Sequence, residues 1–432
     1  METDATRMCA LLVGLPAITV LGVEDEPGEP LRVHVETGAT TVGCAACGTR
    51  AWLKDQRPVA LVDLAAFGRP AVLVWHKRRR LCPETACETR TFTETQPAIA
   101  AARAGVTDRA GRWMTRQVGQ GQPVSAVAAE LGCDWHTVMD AVVAYGTPLI
   151  EDPGRIGKVT ALGLDETLFV RTGAFKQRAW VTSIVDVTSP AQLLDVVPGR
   201  TAKAPSAWLD ARTQEWRDDI SWAALDLSGP YRKTFNDTLP DAVQVADPFH
   251  VIKLANTRLD DVRRRVQQEV LGHRGHRDEP LYRARRLLTK GHERLDDKGE
   301  AKLLGFLEAG DPKGEVRMAW HAKETLRGLY DQNAADAAGY LAELIESLLD
   351  RDMPRELQQL GRTLRTWADQ IVAWHRAQVS NGPTEAVNSL IKRIKRVGFG
   401  FRRFRNYRLR VLLYAGRPNW DNLAALTPTT PP

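Results

Sequence analysis

The chain has 432 residues, enough for two to four domains with a substantial core. Its formal net charge is +6, yet ten Lys and Arg and no Asp or Glu fall between Ala386 and Trp420, so the remainder sums to about −4. That distribution excludes a generally cationic protein and points to one docking surface for a polyanion; no stretch approaches membrane-spanning length.

The apolar run from Met8 to Val23 has Glu2 and Asp4 where a signal peptide carries positive charge, and Gly14 and Pro16 interrupt it. A cytoplasmic, nucleoid-associated protein is expected, with six cysteines that are not disulfide-bonded. Leu11 to Val23 and Leu31 to Glu36 read as strands separated by the turn-rich EDEPGEP. Cys44 and Cys47 form one short knuckle, and Cys82 and Cys87 form another after 34 intervening residues. Val59 to Leu64 and Ala71 to Trp75 read as strands between them. Two knuckles bracketing strands are how a zinc ribbon is built, with four thiolates closing a tetrahedral structural zinc site. Four unrelated reduced cysteines is the competing reading. Cys9 and Cys133 lie outside the pattern and are expected to be buried thiols. A first domain over 1–95 follows.

Thr107 to Gly119, Pro123 to Leu131 and Asp134 to Tyr145 read as three helices, the last two separated by a break at Gly132. Val124, Val127, Ala128 and Leu131 face inward on the second, and Val138, Val142 and Val143 on the third. This pattern predicts a helix-turn-helix over 96–150, with Trp135, His136 and Thr137 at the leading end of the recognition helix. That helix has no Arg or Lys, which is unusual for base reading.

From Val159 the period changes. Val159 to Val170, Ala179 to Val187 and Gln192 to Val197 read as consecutive strands. A helix over Thr201 to Asp219, a strand over Trp222 to Leu227, a helix from Pro230 to Leu239 and a strand over Val243 to Ala246 complete the series. This order is that of a ribonuclease-H-like mixed sheet, in which the first and fourth strands are central neighbours. Asp165 on the first and Asp226 at the end of the fourth would lie one strand spacing apart, about 5 Å. Carboxylates that close repel unless a cation intervenes, and hard oxygen ligands suit Mg²⁺ or Mn²⁺. Asp247, in the distinctive Asp247-Pro-Phe-His250, is the alternative second acid, with His250 in support; topology favours Asp226. The first part of this core is assigned to 155–270. Residues 271–378 read as an all-helical insertion, with Trp320, Leu326, Tyr330, Leu341, Leu344, Ile345, Leu348 and Leu349 in its interior.

The core resumes over 379–420. A helix starting near Pro383 would turn Val387, Leu390, Ile391, Ile394 and Val397 to one face, and Glu385, Asn388, Lys392 and Arg396 to the other. Glu385 sits in its first turn as the third acid. Lys392, Arg393, Lys395, Arg396, Arg402, Arg403 and Arg405 are candidate phosphate contacts. The interleaved Phe399, Phe401, Phe404 and Tyr407 predict a segment that packs into the domain. Thr427 to Pro432 reads as a disordered tail.

Three strings, GLDET at Asp165, DPFHVIKLAN at Asp247 and SNGPTEAVNSLIKRIKRVGFGFRRFRNYRLRVLLYAG from Ser380, resemble the DDE transposases of the ISL3 insertion-sequence family. The resemblance covers nearly the whole chain. It implies a zinc-binding N-terminus, a helix-turn-helix and a ribonuclease-H-like core using two catalytic Mg²⁺ or Mn²⁺ ions. It also implies double-stranded terminal-inverted-repeat and target DNA as partners, and homo-oligomers on paired ends. Asp165, Asp226 and Glu385 would be the metal ligands. A DNA-binding regulator without chemistry, or a nuclease of the same fold that cuts without joining, are the rival readings.

Overall fold

The computed structural model describes residues 1–15, 18–38, 41–173, 175–273 and 275–426; the expected tail over 427–432 lies outside them. The chain divides into two compact units, residues 1–157 with 389–432, and residues 158–388.

The first unit opens with helix α1 (Ala5–Val13), capped by Asp4, which accepts from the Arg7 amide, and ended by Gly14 in the left-handed conformation. Leu11 to Val13 is therefore helix, a correction to the expected strand, because both ends are capped locally. Strands β1 (Ile18–Glu24), β2 (Leu31–Thr37), β3 (Trp52–Ala66), β4 (Arg69–Leu81) and β5 (Thr91–Thr93) form one sheet. Its order is β1-β2-β4-β3, with β5 also on β4 and the β2–β4 pair parallel. β3 and β4 are far longer than expected, forming a hairpin of 15- and 13-residue strands. Its core gathers Val35, Leu61, Leu73 and the fully buried Trp75, with Ile99 and Ala100 beneath. Cys44, Cys82 and Cys87 form a separate buried cluster with Phe92 packed against it. Cys9 and Cys133, expected buried, are half-buried.

Helices α2 (Asp108–Gly119), α3 (Val124–Leu131) and α4 (Trp135–Ile150) follow as anticipated. Thr107 caps α2 and its hydroxyl also donates to Asp63 on β3, 2.7 Å, which ties the helices to the sheet. Gly132 turns the chain at φ +63, and Asp134 accepts from the His136 and Thr137 amides to start α4.

In the second unit, β6 (Ala161–Thr172), β7 (Gln177–Asp186) and β8 (Gln192–Pro198) form an antiparallel meander. The expected long helix is two, α5 (Lys203–Asp210) and α6 (Gln214–Asp218), because Thr213 caps a new start on the Trp216 amide. Strand β9 (Trp222–Leu225), helix α7 (Gly229–Thr238) and strand β10 (Val243–Ala246) complete a sheet of order β10-β9-β6-β7-β8. β9 runs parallel to β6 with Ala161 opposite Trp222 and Gly163 opposite Ala224. Helices α8 (Pro248–Leu271), α9 (Pro280–Leu288), α10 (Asp297–Gly310), α11 (Glu315–Gly328), α12 (Ala337–Leu348), α13 (Arg355–Thr366) and α14 (Ala368–Ala377) fill residues 248–377. Trp320, Leu326, Leu341, Leu344, Ile345 and Leu348 are buried among them as expected.

Helix α15 (Gly382–Val397) begins in the second unit and ends in the first; α16 (Phe404–Ala415) follows. The buried positions of α15 include Thr384, Val387, Asn388, Ile391 and Ile394. This corrects two assignments: Asn388 is buried, and Leu390 is exposed. The stripe is turned by a fraction of a turn because Asn388 is drawn into hydrogen bonds on the sheet. α16 packs against α2 and α4 in the first unit, where Leu409 and Leu413 sit over Gly146 and Trp420 sits over Gly119.

Candidate active site and nucleic-acid interface

Asp165 lies mid-way along β6 opposite Ser183 of β7, and Asp226 follows the last residue of β9. Parallel pairing of the two strands brings their carboxylates together. Ligand oxygens of Asp165, Glu166 and Asp226 all lie within 4.8 Å of one another. Burial raises both Asp165 and Asp226, and the Asp165 and Glu166 charges add to it at Asp226, which is pushed up to about 7. One Asp226 oxygen, Oδ1, is buried with no hydrogen-bond partner. A raised, partnerless buried carboxylate in a cluster of three acids has the donor chemistry of a divalent-cation site.

Asp165 is positioned from two directions. Its Oδ1 accepts from the Glu166 amide, 2.7 Å, and its Oδ2 accepts from Asn388 Nδ2, 2.6 Å. Asn388 Oδ1 in turn accepts from the Ser183 hydroxyl, 2.7 Å. A helix can approach this closely because residue 163 has no side chain. A Cβ on Gly163 would stand 2.3 Å from Thr384 Oγ1 and 2.8 Å from Asn381 Oδ1.

Asp247 is differently occupied. It caps α8, accepting from the Phe249 amide at 2.9 Å, and its other oxygen accepts from the Asn381 amide at 3.2 Å. Both oxygens thus hold backbone that leads into α8 and α15. His250 lies between acids, Nδ1 3.6 Å from Asp247 and Nε2 3.7 Å from Glu385. The neighbouring Asp247 carboxylate raises its basicity, against the opposing effect of burial. Glu385 is not among the three acids that converge within 4.8 Å; its half-exposed carboxylate faces His250. Its charge nonetheless reaches Asp165, whose carboxyl it helps to raise. Glu166 and Asn388 are functional candidates that sequence reasoning passed over. Glu166 was visible beside Asp165, but strand alternation argues against adjacent residues sharing a site.

A second cluster gathers the four thiols of Cys44, Cys47, Cys82 and Cys87 within 4.8 Å, with Sγ–Sγ distances of 3.8 Å for Cys44–Cys87 and 3.5 Å for Cys47–Cys82. Hydrogen bonds from Thr49 lower the Cys47 thiol to about 6, whereas burial pushes Cys82 up to about 12. Four converging sulfurs, none in a disulfide, fit a closed tetrahedral metal site.

A family profile described as "Transposase" matches residues 162–411, and one described as "Helix-turn-helix domain of transposase family ISL3" matches residues 95–146. The chain belongs to the ISL3 family of transposases. It is 25% identical over 396 residues to a transposase for insertion sequence element IS1001 of Bordetella parapertussis, covering 88% of this chain and 90% of that protein. It is likewise 25% identical over 428 residues to a transposase for IS1557 of Mycobacterium tuberculosis, covering 92% of each. Membership implies an enzyme that acts on DNA and uses divalent metal.

In this transposase the expected DNA-contacting residues fall into two sets within the first unit. Trp135 and His136 are exposed at the start of α4, their rings edge-to-face at 5.3 Å, while Thr137 is half-buried. Lys392, Arg393, Arg396, Arg402, Arg403 and Arg405 are exposed, and Lys395 is half-buried. Of the expected packing aromatics, Tyr407 is fully buried and meets Phe401 at 5.4 Å, but Phe399 is 93% exposed, a correction. Among the described residues no helix is long and apolar enough to cross a membrane.

Proposed function

We propose that this protein is an insertion-sequence transposase that cleaves DNA at terminal inverted repeats and joins the freed ends to target DNA. The observation that carries the reading is the convergence of the Asp165, Glu166 and Asp226 oxygens, with Asp226 Oδ1 buried and partnerless. Sheet order β10-β9-β6-β7-β8 supports a ribonuclease-H-like core, since it is the order expected for one. Asp165 and Asp226 are the paired acids and Glu385 the third, a DDE triad that holds Mg²⁺ or Mn²⁺, two ions in the full assembly. Metal held by these carboxylates would supply Lewis-acid chemistry, easing the development of charge on the attacking oxygen and on the leaving 3′-oxygen.

The chain's own groups prepare that site. Asn388 and the Glu166 amide hold Asp165 in one rotamer with its carboxylate facing the cluster. Asp247 fixes the entry into α15 through the Asn381 amide, and so fixes where Glu385 stands. His250, whose basicity the Asp247 carboxylate raises, faces Glu385 at 3.7 Å and lies between these two acids. Cys44, Cys47, Cys82 and Cys87 hold one structural Zn²⁺. The exposed arginines of 392–405 contact phosphates of double-stranded DNA, with homo-oligomers on paired ends. A strand-transfer assay with labelled end DNA and a target plasmid tests the reading. Joined products that need Mg²⁺ or Mn²⁺ are expected; nicking without joining would favour a nuclease, and binding without cleavage a regulator.

A further inference from the structure

The recognition helix carries no cation, and neither does α3 before it. The structure supplies the missing charge from elsewhere in the same unit. A cavity of about 530 Å³ is lined on one side by Trp135, His136 and Met139 of α4, and on the other by Arg402, Arg403 and Arg405. The loop between α15 and α16 thus forms a wall of the groove at the leading end of the helix-turn-helix.

The base of that loop is anchored. Phe401 packs edge-to-face on the buried Tyr407, and the Arg410 guanidinium lies over the Phe401 ring at 5.4 Å. Arg410 is itself buried and donates to the carbonyl of Gln122, just ahead of α3, at 3.2 Å. Gly398 is needed for this packing, since a Cβ there would meet the Phe401 ring at 2.9 Å. The tip is held as firmly: Gly398, Phe399 and Gly400 donate their amides to Ile394, Arg396 and Lys395 carbonyls at 2.9–3.0 Å. This closed turn projects Phe399 outward at φ +51, a left-handed conformation that favours Gly or Asn, while glycines occupy the positions on either side. The ring is 93% exposed. Folding alone gains nothing from a bulky ring placed in water at a strained position. The surrounding surface carries Arg396, Arg402 and Arg403, complementary to nucleic-acid phosphate.

We propose that residues 397–406 are a DNA-reading arm of the helix-turn-helix unit, in which the arginines grip phosphates and Phe399 wedges into a base step of the duplex read by Trp135 and His136. Apolar side chains inserted between base pairs unstack them locally, and a rigid backbone that already presents the ring avoids an ordering cost. The proposal rests on the DNA-binding reading above and assigns that reading a residue and a contact type.

The test uses the full chain and duplexes from the ends of the DNA element that carries its coding sequence, with 2-aminopurine placed at successive positions. The wild type should raise 2-aminopurine emission at one step; Phe399→Ala should lose that signal and about ten-fold or more in affinity, and Phe399→Trp should restore both. The slope of log affinity against log salt should not change in Phe399→Ala, because no phosphate contact is lost, whereas Arg402→Gln should reduce it by about one unit. The exposed ring makes Phe399→Ala safe for folding, and its melting temperature should not fall. Salt-dependent binding by the wild type with no responsive step would sink the wedge and leave the DNA-binding reading standing. Phe399→Ala binding as tightly as wild type would also overturn it. Absence of salt-dependent binding by the wild type would overturn both readings.

Discussion

Asp226→Asn removes a charge that the fold holds away from water, so its first effect should be on stability. Burial and the neighbouring acids push this carboxyl from 3.8 to about 7. Three units at about 1.36 kcal/mol each is about 4 kcal/mol of opposition to the ionised form. A carboxyl whose folded pKa is raised contributes stability that is full below the unfolded pKa, near 4, and is lost as pH rises through 7. Of that loss, about 2–3 kcal/mol falls between pH 5 and pH 8, so metal-free wild type should be weaker at pH 8 by that amount at this site, and the raised Asp165 acts in the same direction. Asparagine has no such titration. In urea unfolding with EDTA at pH 8, Asp226→Asn should be more stable than wild type, and at pH 5 that advantage should shrink to about 1–2 kcal/mol. Mn²⁺ should then stabilise the wild type at pH 8 and not the variant, and Mn²⁺-dependent strand cleavage should vanish. Asp247→Asn should behave oppositely. Its oxygens serve the Phe249 and Asn381 amides, so the loss should be about 1 kcal/mol whether or not metal is present. If Asp226→Asn destabilises at pH 8, or keeps more cleavage activity than Asp247→Asn, the second ligand is Asp247 and the reasoning fails.

Gly163→Ala would set a methyl 2.3 Å from Thr384 Oγ1 and 2.6 Å from Val187. Overpacking of that kind costs about 1–3 kcal/mol, and displacing the Glu385 helix by about 1 Å should lower strand cleavage by about 100-fold; melting and cleavage measured together check both. Protein purified without chelator should carry one zinc per chain by elemental analysis, and Cys47→Ser should lose it; a retained stoichiometry of one would remove these thiols as its ligands. Changing Lys392, Arg396 and Arg402 together to Gln should flatten the log–log salt dependence of DNA binding by about two to three units while preserving sequence preference. An unchanged slope would mean that this face points away from DNA.

Local sequence determined the elements whose signals are local. The helix-turn-helix was legible because Thr107 and Asp134 cap helices and Gly132 turns the chain between the last two, and none of these needs a distant partner. The strand order around Asp165 and Asp226 was legible from the succession of strands and helices, because few connections are sterically available to such a series. The two cysteine knuckles were visible as short spacings around strands, which left four unrelated cysteines as a rival reading until the fold brought the four thiols within 4.8 Å. What the sequence did not reveal depends on contacts across the fold. The 13- and 15-residue hairpin strands exceed their apolar runs because pairing of Gln56–Pro58 with His76–Arg78 extends the ladder through polar residues. Asn388 reads as one more polar residue on a charged helix face, and only the position of Ser183 and Asp165 on the sheet turns it inward. Asp226 and Asp247 are equivalent as letters. Tertiary structure separated them, leaving one without a partner for its buried oxygen and giving the other two backbone amides to hold. Phe399 is an aromatic between glycines in the sequence; only the tertiary structure distinguishes it, 93% exposed, from Phe401, which packs on the buried Tyr407.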